Sequence, residues 1–304
     1  MQIHLLGTAA GGGVPQWNCA CAVCCEARRP NGRVRARTQS SVAISADGRS
    51  WFLLNASPDI RAQIESFQPL QPSPGPGRNS PIQAVLLTNA DLDHSLGLML
   101  LREGETLRIH ATRNVRQALN EGVSMEPALA SFCGTDWVEP PLEPAPLRQR
   151  DGSPSGLTYQ AIPLPGKSPR FLKSKTTEGN VVGYRISDSR TGGRLLFLPD
   201  VATLNETILR WLPECDALLF DGTFWSETEM RDLGLGTLAA ADMGHAPISG
   251  ASGSLKVLAE LKVRHKIYTH LNNTNPVLIE DSREAAAVTA AGCVVGRDGM
   301  ELEL

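Results

Sequence analysis

The chain has 304 residues, a formal net charge of −3 and 41% hydrophobic residues. Near-balanced charge without a basic stripe excludes an electrostatic nucleic-acid binder, and no run reaches the roughly 18 apolar residues that span a bilayer. The opening Met1-Gln2-Ile3-His4-Leu5-Leu6-Gly7 lacks the basic start and long apolar stretch of a secretion signal, so a cytoplasmic protein is expected.

In chain order, short strands are expected at 3–6, 41–45, 51–55, 84–88 and 108–111. Asp47-Gly48 is suited to a hairpin turn between the second and third. Ser57-Pro58-Asp59 reads as a helix cap with proline at the first helical position, the helix running to about Ser66. Segments 69–81 and 140–154, the first rich in Pro, Gly and Ser, read as loops. Strands at 182–186, 194–198, 217–220 and 267–269 follow, with helices at 252–261 and 279–290. Interleaved strands and helices point to an α/β layered fold in a single domain, 1–304. Polar residues stand just past strand ends at Asp91, Asp200, Asp221 and His270.

Seven cysteines without a secretion signal argue against a disulfide framework. Cys19, Cys21 and Cys24 bring three thiols within six residues, a spacing that wraps one zinc ion. Cys25 is awkwardly placed beside Cys24, so a distant His or Asn is the better fourth ligand. A zinc enclosed by four protein ligands holds a loop and does no chemistry. The plainer alternative is three buried or free cysteines.

The run Thr88-Asn89-Ala90-Asp91-Leu92-Asp93-His94 follows an apolar strand and leads into a helix-like segment, 95–101. It aims Asn89, Asp91 and Asp93 to one side while His94 opens the helix. Oxygen and imidazole ligands converging at a strand end suit a metal ion. The alternative is a capped helix with solvated carboxylates. Asp200 closes the strand Leu195-Leu196-Phe197-Leu198, His270 follows Ile267-Tyr268-Thr269, and His245 precedes the 252–261 helix.

In this order the residues resemble the His-x-His-x-Asp-His motif and later ligands of the metallo-β-lactamase superfamily. The motif positions read Asn89, Asp91, Asp93 and His94 here. Trp17-Asn18-Cys19-x-Cys21-x-x-Cys24, Phe220-Asp221-Gly222-Thr223-Phe224-Trp225 and Tyr268-Thr269-His270-Leu271-Asn272-Asn273-Thr274-Asn275-Pro276 are similar to the coenzyme PQQ synthesis protein B family over the whole chain. The resemblance implies an αββα four-layer sandwich, with two mixed β-sheets flanked by helices. It also implies that the first metal site of a dinuclear member is largely dismantled, since the two histidines become Asn89 and Asp91. The second site keeps its ligands, Asp93, His94, Asp200 and His270. Asn273 is the implied fourth ligand of the cysteine zinc.

Two histidines with carboxylates and open positions form the ligand class of non-haem iron oxygenases. The family implies PQQ biosynthesis, through an iron-dependent oxygenase that hydroxylates the tyrosine ring of a Glu-Tyr-derived intermediate. Expected cofactors are a structural Zn(2+) and Fe(2+), or another divalent metal, at the active site. The expected catalytic residues are Asp91, Asp93, His94, His245 and His270, His245 as a base or substrate contact with a structural histidine as the alternative. Rival readings are a carrier moving PQQ or its precursor toward the periplasm, and a metal-dependent hydrolase of the phosphodiesterase type. The implied partner is a small dipeptide-derived PQQ precursor, alongside other PQQ-pathway proteins.

Such a precursor carries several carboxylates, and Lys167, Arg170, Lys173 and Lys175 are the candidate clamps. A solvated basic loop is the alternative. Gly11-Gly12-Gly13 reads as a sharp connection or an anion-binding nest. Asp221 reads as a ligand-orienting group or a loop cap. The five tryptophans read as packing residues, with Trp17 and Trp225 also candidates to stack on an aromatic substrate.

Overall fold

A computed structural model describes residues 1–172 and 179–304. The chain builds two compact units, each assembled from separate stretches of sequence. The first comprises residues 1–7, 40–194 and 299–304, and the second residues 8–39 and 195–298. In chain order the strands are β1 (Gln2–Gly7), β2 (Ser41–Ser45), β3 (Trp51–Leu54), β4 (Ile82–Leu86), β5 (Leu107–His110), β6 (Thr135–Val138), β7 (Ala145–Arg148), β8 (Pro154–Leu164), β9 (Val181–Asp188), β10 (Arg194–Leu198), β11 (Ala217–Asp221), β12 (His265–Thr269), β13 (Val294–Val295) and β14 (Met300–Glu303).

In the first unit a sheet runs in the order β14-β1-β2-β3-β4-β5-β6. Its β1, β2 and β3 pair antiparallel, and β3 to β6 run parallel. Every residue of β2 and β3 is buried, as expected of strands covered on both faces. Ala43 of β2 and Trp51 and Leu53 of β3 join Ile60, Leu87, Leu98, Ile109 and Leu119 in one apolar cluster. The helix Arg113–Val123 adds Val115, Ala118 and Leu119 to it and is capped by Thr112 Oγ1, which accepts from Val115 N–H at 3.2 Å. The antiparallel strands β7, β8 and β9 also lie in this unit.

Two expectations change here. The helix expected from Ser57-Pro58 starts at Ile60, with Asp59 as its flanking residue and no side-chain cap. Ser57 is buried, and its hydroxyl instead donates to Gln63 Oε1 and accepts from Asp59 N–H. The loop expected over 140–154 contains β7, where Pro146 stands opposite Thr158. A proline is tolerated there because β7 is the last strand of its sheet.

In the second unit β10, β11, β12 and β13 are parallel neighbours. Their carboxyl ends deliver Asp200, Asp221 and His270 to one edge. Helices Ser254–Glu260 and Arg283–Ala290 belong to this unit. Buried Lys266 donates to Leu258 O at 2.8 Å, Leu261 O at 3.3 Å and Ala291 O at 3.4 Å, so one ammonium satisfies carbonyls at the C-terminal ends of both helices. No helix among the described residues is long and apolar enough to cross a membrane.

Candidate metal centres

The four expected active-site ligands divide between the units, Asp93 and His94 in the first, Asp200 and His270 in the second. In the first unit, β4 gives way to a loop pinned by Asn55, whose φ of 63° is left-handed. Asn55 Oδ1 accepts from Thr88 N–H at 2.9 Å, and Asn55 Nδ2 donates to Thr88 Oγ1 at 3.0 Å. Asp91 flanks the short helix Leu92–Ser95, which carries Asp93 and fully buried His94. His94 Nδ1 lies 3.0 Å from Asn89 Oδ1 and 3.2 Å from Thr88 Oγ1. Asn89 Oδ1 can only accept, so it places the His94 proton on Nδ1 and leaves Nε2 as the donor for a cation. Asn89 also accepts from Asp91 N–H at 2.9 Å. It therefore positions His94, a role the sequence motif alone does not suggest.

The peptide of His94 is fixed too. Its carbonyl accepts from Ala56 N–H at 2.8 Å, and Gly97 N–H donates to Ala56 O at 2.9 Å. A Cβ on Gly97 would meet Ser57 O at 2.3 Å and Ala56 O at 2.6 Å, so only glycine allows this approach.

In the second unit Asp200, His245 and His270 each offer a donor atom within 4.8 Å of the others. His270 adopts a left-handed φ of 56°, and its Nε2 lies 3.9 Å from Asp200 Oδ1. Fully buried Asp221 lies behind His245. Its Oδ2 accepts from His245 Nδ1 at 2.8 Å and from Val201 N–H at 2.8 Å. Its Oδ1 accepts from Thr223 N–H at 2.9 Å and Thr223 Oγ1 at 2.7 Å. Burial works against charge at Asp221, but the His245 imidazole and these donors hold the carboxyl below its usual range. Burial likewise disfavours the imidazolium of His245, and the Asp221 charge outweighs it, raising this histidine above its ordinary value. A carboxylate behind a histidine in this way orients a metal ligand and raises its basicity. Two imidazoles and one carboxylate fit a divalent cation. In the sequence Asp221 fits either an orienting group or a loop cap, and nothing there marks Thr223.

The cysteine loop lies wholly in the second unit. Cys19, Cys21 and Cys24 offer sulfurs within 4.8 Å of one another. Asn273 Nδ2 reaches Cys24 Sγ at 3.3 Å and Cys21 Sγ at 3.8 Å. Exposed Cys25 points its thiol to Ala20 O. Burial pushes the Cys21 thiol up to about 12, with Cys19 and Cys24 adding to the rise. A cation would relieve that crowding, as three thiolates fit zinc. Arg28 fastens the loop by donating to the carbonyls of Cys19 and Gln16.

Lys167 and Arg170 are exposed, whereas Lys173 and Lys175 lie outside the described residues. In the glycine run, Gly12 N–H donates to Gln39 Oε1 and Gly13 N–H to Ala10 O. Those bonds make a turn of it. Trp17 is 85% exposed and does not pack, contrary to expectation.

A β-lactamase superfamily domain model matches residues 50–271. Coenzyme PQQ synthesis protein B of Methylobacterium nodulans is 43% identical to the chain, over the full length of both. The crystal structure of Zn(2+)-bound PqqB from Methylobacterium extorquens superposes with a TM-score of 0.90 at 40% identity, covering all of each chain. A diphosphatase of the PhnP family shares the fold, with a TM-score of 0.68 at 20% identity, covering all of this chain and 96% of that one. The chain belongs to the coenzyme PQQ synthesis protein B family, within the β-lactamase superfamily. Its fold is thus the metallo-β-lactamase one expected from the motifs, two mixed sheets with flanking helices.

Proposed function

We propose that the chain is a metal-dependent oxygenase of PQQ biosynthesis that hydroxylates the tyrosine ring of a Glu-Tyr-derived intermediate. Family membership supports the pathway, and the fold supports a metal-dependent enzyme. The observation that carries the reaction type is the donor set. Asp200, His245 and His270 gather one carboxylate and two imidazoles, the ligand class of non-haem iron oxygenases.

In this reading Asp93, His94, Asp200 and His270 hold one ion, an assignment carried by the order of the motifs. His245 stands beside Asp200 and His270 as a further donor or base, and Asp91 serves as ligand or proton acceptor. Iron(II), when bound, supplies the oxygen-activating chemistry. The chain's own work is to fix the imidazoles, through Asn89 for His94 and through Asp221 for His245, and to hold the phenol ring. Lys167, Arg170, Lys173 and Lys175 are the proposed contacts for substrate carboxylates. Zinc in the cysteine loop has a structural role.

Replacing His94 or His270 by Ala is the test. Each variant should lose metal-dependent oxidation while keeping its far-ultraviolet circular dichroism. Full activity in both would defeat the assignment. Zinc-dependent phosphodiester cleavage without oxygen uptake would instead favour a hydrolase, and tight quinone binding by a protein inert with iron and oxygen would favour a carrier.

A further inference from the structure

One hydroxyl stands among four partners in the second unit. Thr223 Oγ1 lies 2.9 Å from His270 Nδ1, 3.1 Å from His245 Nδ1, 2.7 Å from Asp221 Oδ1 and 2.9 Å from His270 O. A hydroxyl has one proton and two acceptor sites. The shortest contact is to a buried carboxylate, and a charged acceptor takes the proton in preference to a neutral one. With its proton given to Asp221, the oxygen can only accept from the two imidazoles. Both histidines then carry their protons on Nδ1 and leave Nε2 bare. The His245 proton is shared between Thr223 and Asp221 Oδ2. The two rings stack with centroids 5.3 Å apart and an interplanar angle of 29°, so one atom sets the tautomer of both.

The local backbone makes this possible. Thr223 follows β11 by two residues, and its N–H is held by Asp221 Oδ1. Gly222 packs so closely that a Cβ there would lie 2.9 Å from Tyr268 Cβ and 3.0 Å from Thr269 O. Asn275 Nδ2 donates to Gly222 O at 2.8 Å. The hydroxyl therefore has little freedom to turn elsewhere.

We infer that Thr223 is a positioning residue, which through a single hydroxyl holds His245 and His270 in the tautomer that binds a divalent cation. The inference rests on the reading above that these histidines face a metal. Its consequences appear before any turnover, in the tautomers and in the affinity for metal alone.

The experiment uses the full chain with nitrogen-15-labelled histidine, freed of metal, followed by titration with cobalt(II). Long-range nitrogen–proton couplings report the tautomer of each ring, and the d–d bands of a nitrogen–oxygen site separate from the thiolate bands of the cysteine loop. Wild-type His245 and His270 should both show the proton on Nδ1. In Thr223→Val one or both rings should shift toward the Nε2–H form, and cobalt affinity at the histidine site should fall about 10- to 100-fold. Thr223→Ser should restore both readouts. An Nε2–H form in the wild-type protein overturns the inference without any variant, and so does wild-type cobalt affinity in a folded Thr223→Val protein. Nδ1–H tautomers in a wild-type protein that binds no cobalt outside the cysteine loop would uphold the positioning by Thr223 and defeat the metal reading.

Discussion

Replacing Asp221 by Asn removes one charge and almost no volume, so its effects follow from hydrogen bonds alone. The carboxylate accepts from four donors, two at each oxygen. An asparagine can keep Oδ1 toward Thr223, whose N–H and hydroxyl both donate there. Its amide nitrogen then faces Val201 N–H and His245 Nδ1, at a position where the carboxylate accepted at 2.8 Å from each. Val201 N–H meets a donor and loses its partner, and a buried donor left unsatisfied costs about 1–3 kcal/mol. His245 keeps a bond to the amide only by moving its own proton to Nε2, which turns the nitrogen proposed to bind the metal into a hydrogen-bond donor. Loss of such a partner typically costs about 10- to 100-fold in metal affinity. Urea denaturation of the metal-free protein should show the stability loss, and competition with a chromophoric chelator should show the affinity loss. An Asp221→Asn protein with unchanged stability and unchanged affinity would refute the reasoning.

Three further outcomes are expected. Burial holds His110 down to about 4, with Arg108 adding to the fall. This depressed group stabilises the fold above its unfolded value near 6.5, and the contribution drains away as pH falls toward 4, at most about 3 kcal/mol; denaturation of His110→Gln across that window should show less acid sensitivity than wild type, and equal sensitivity would remove His110 from the account. Gly97→Ala forces a Cβ against two backbone carbonyls and should cost about 1–3 kcal/mol, whereas Gly104→Ala, with Leu101 O at 3.6 Å, should be nearly neutral by the same measurement. Cys24→Ser should lower bound zinc by about one equivalent while leaving cobalt binding at the histidines intact, and unchanged zinc by elemental analysis would contradict the cysteine site.

The motifs pointed to the gathered donor side chains better than to the residues that hold them. Asp200 and His270 were legible because each stands just past an apolar strand, in the order the superfamily's ligands take. Cys19, Cys21 and Cys24 were legible because local spacing alone brings their sulfurs together. Asn89, Asp221 and Thr223 were harder: Asp221 and Thr223 act through histidines more than twenty residues away, and Asn89 stands where the superfamily motif has a histidine. Asn89 in particular reads as a lost histidine until His94 is seen against it. Ser57-Pro58 misled for a related reason. Its capping pattern is real, but burial turns the serine toward Gln63, and the helix starts later. The Pro-containing stretch over 140–154 hid β7 because an edge strand accepts a proline that an inner strand would reject.

The most direct test of the oxygenase account is oxygen uptake. The protein would be loaded with iron(II) under anaerobic conditions, mixed with a Glu-Tyr-derived hydroxyphenyl dipeptide and with ascorbate as the two-electron donor that reduces the second oxygen atom to water, and exposed to oxygen. The account predicts consumption of oxygen coupled to one added oxygen atom on the ring, lost in His94→Ala and His270→Ala. Iron bound at the histidines, dipeptide present and no oxygen consumed would contradict it.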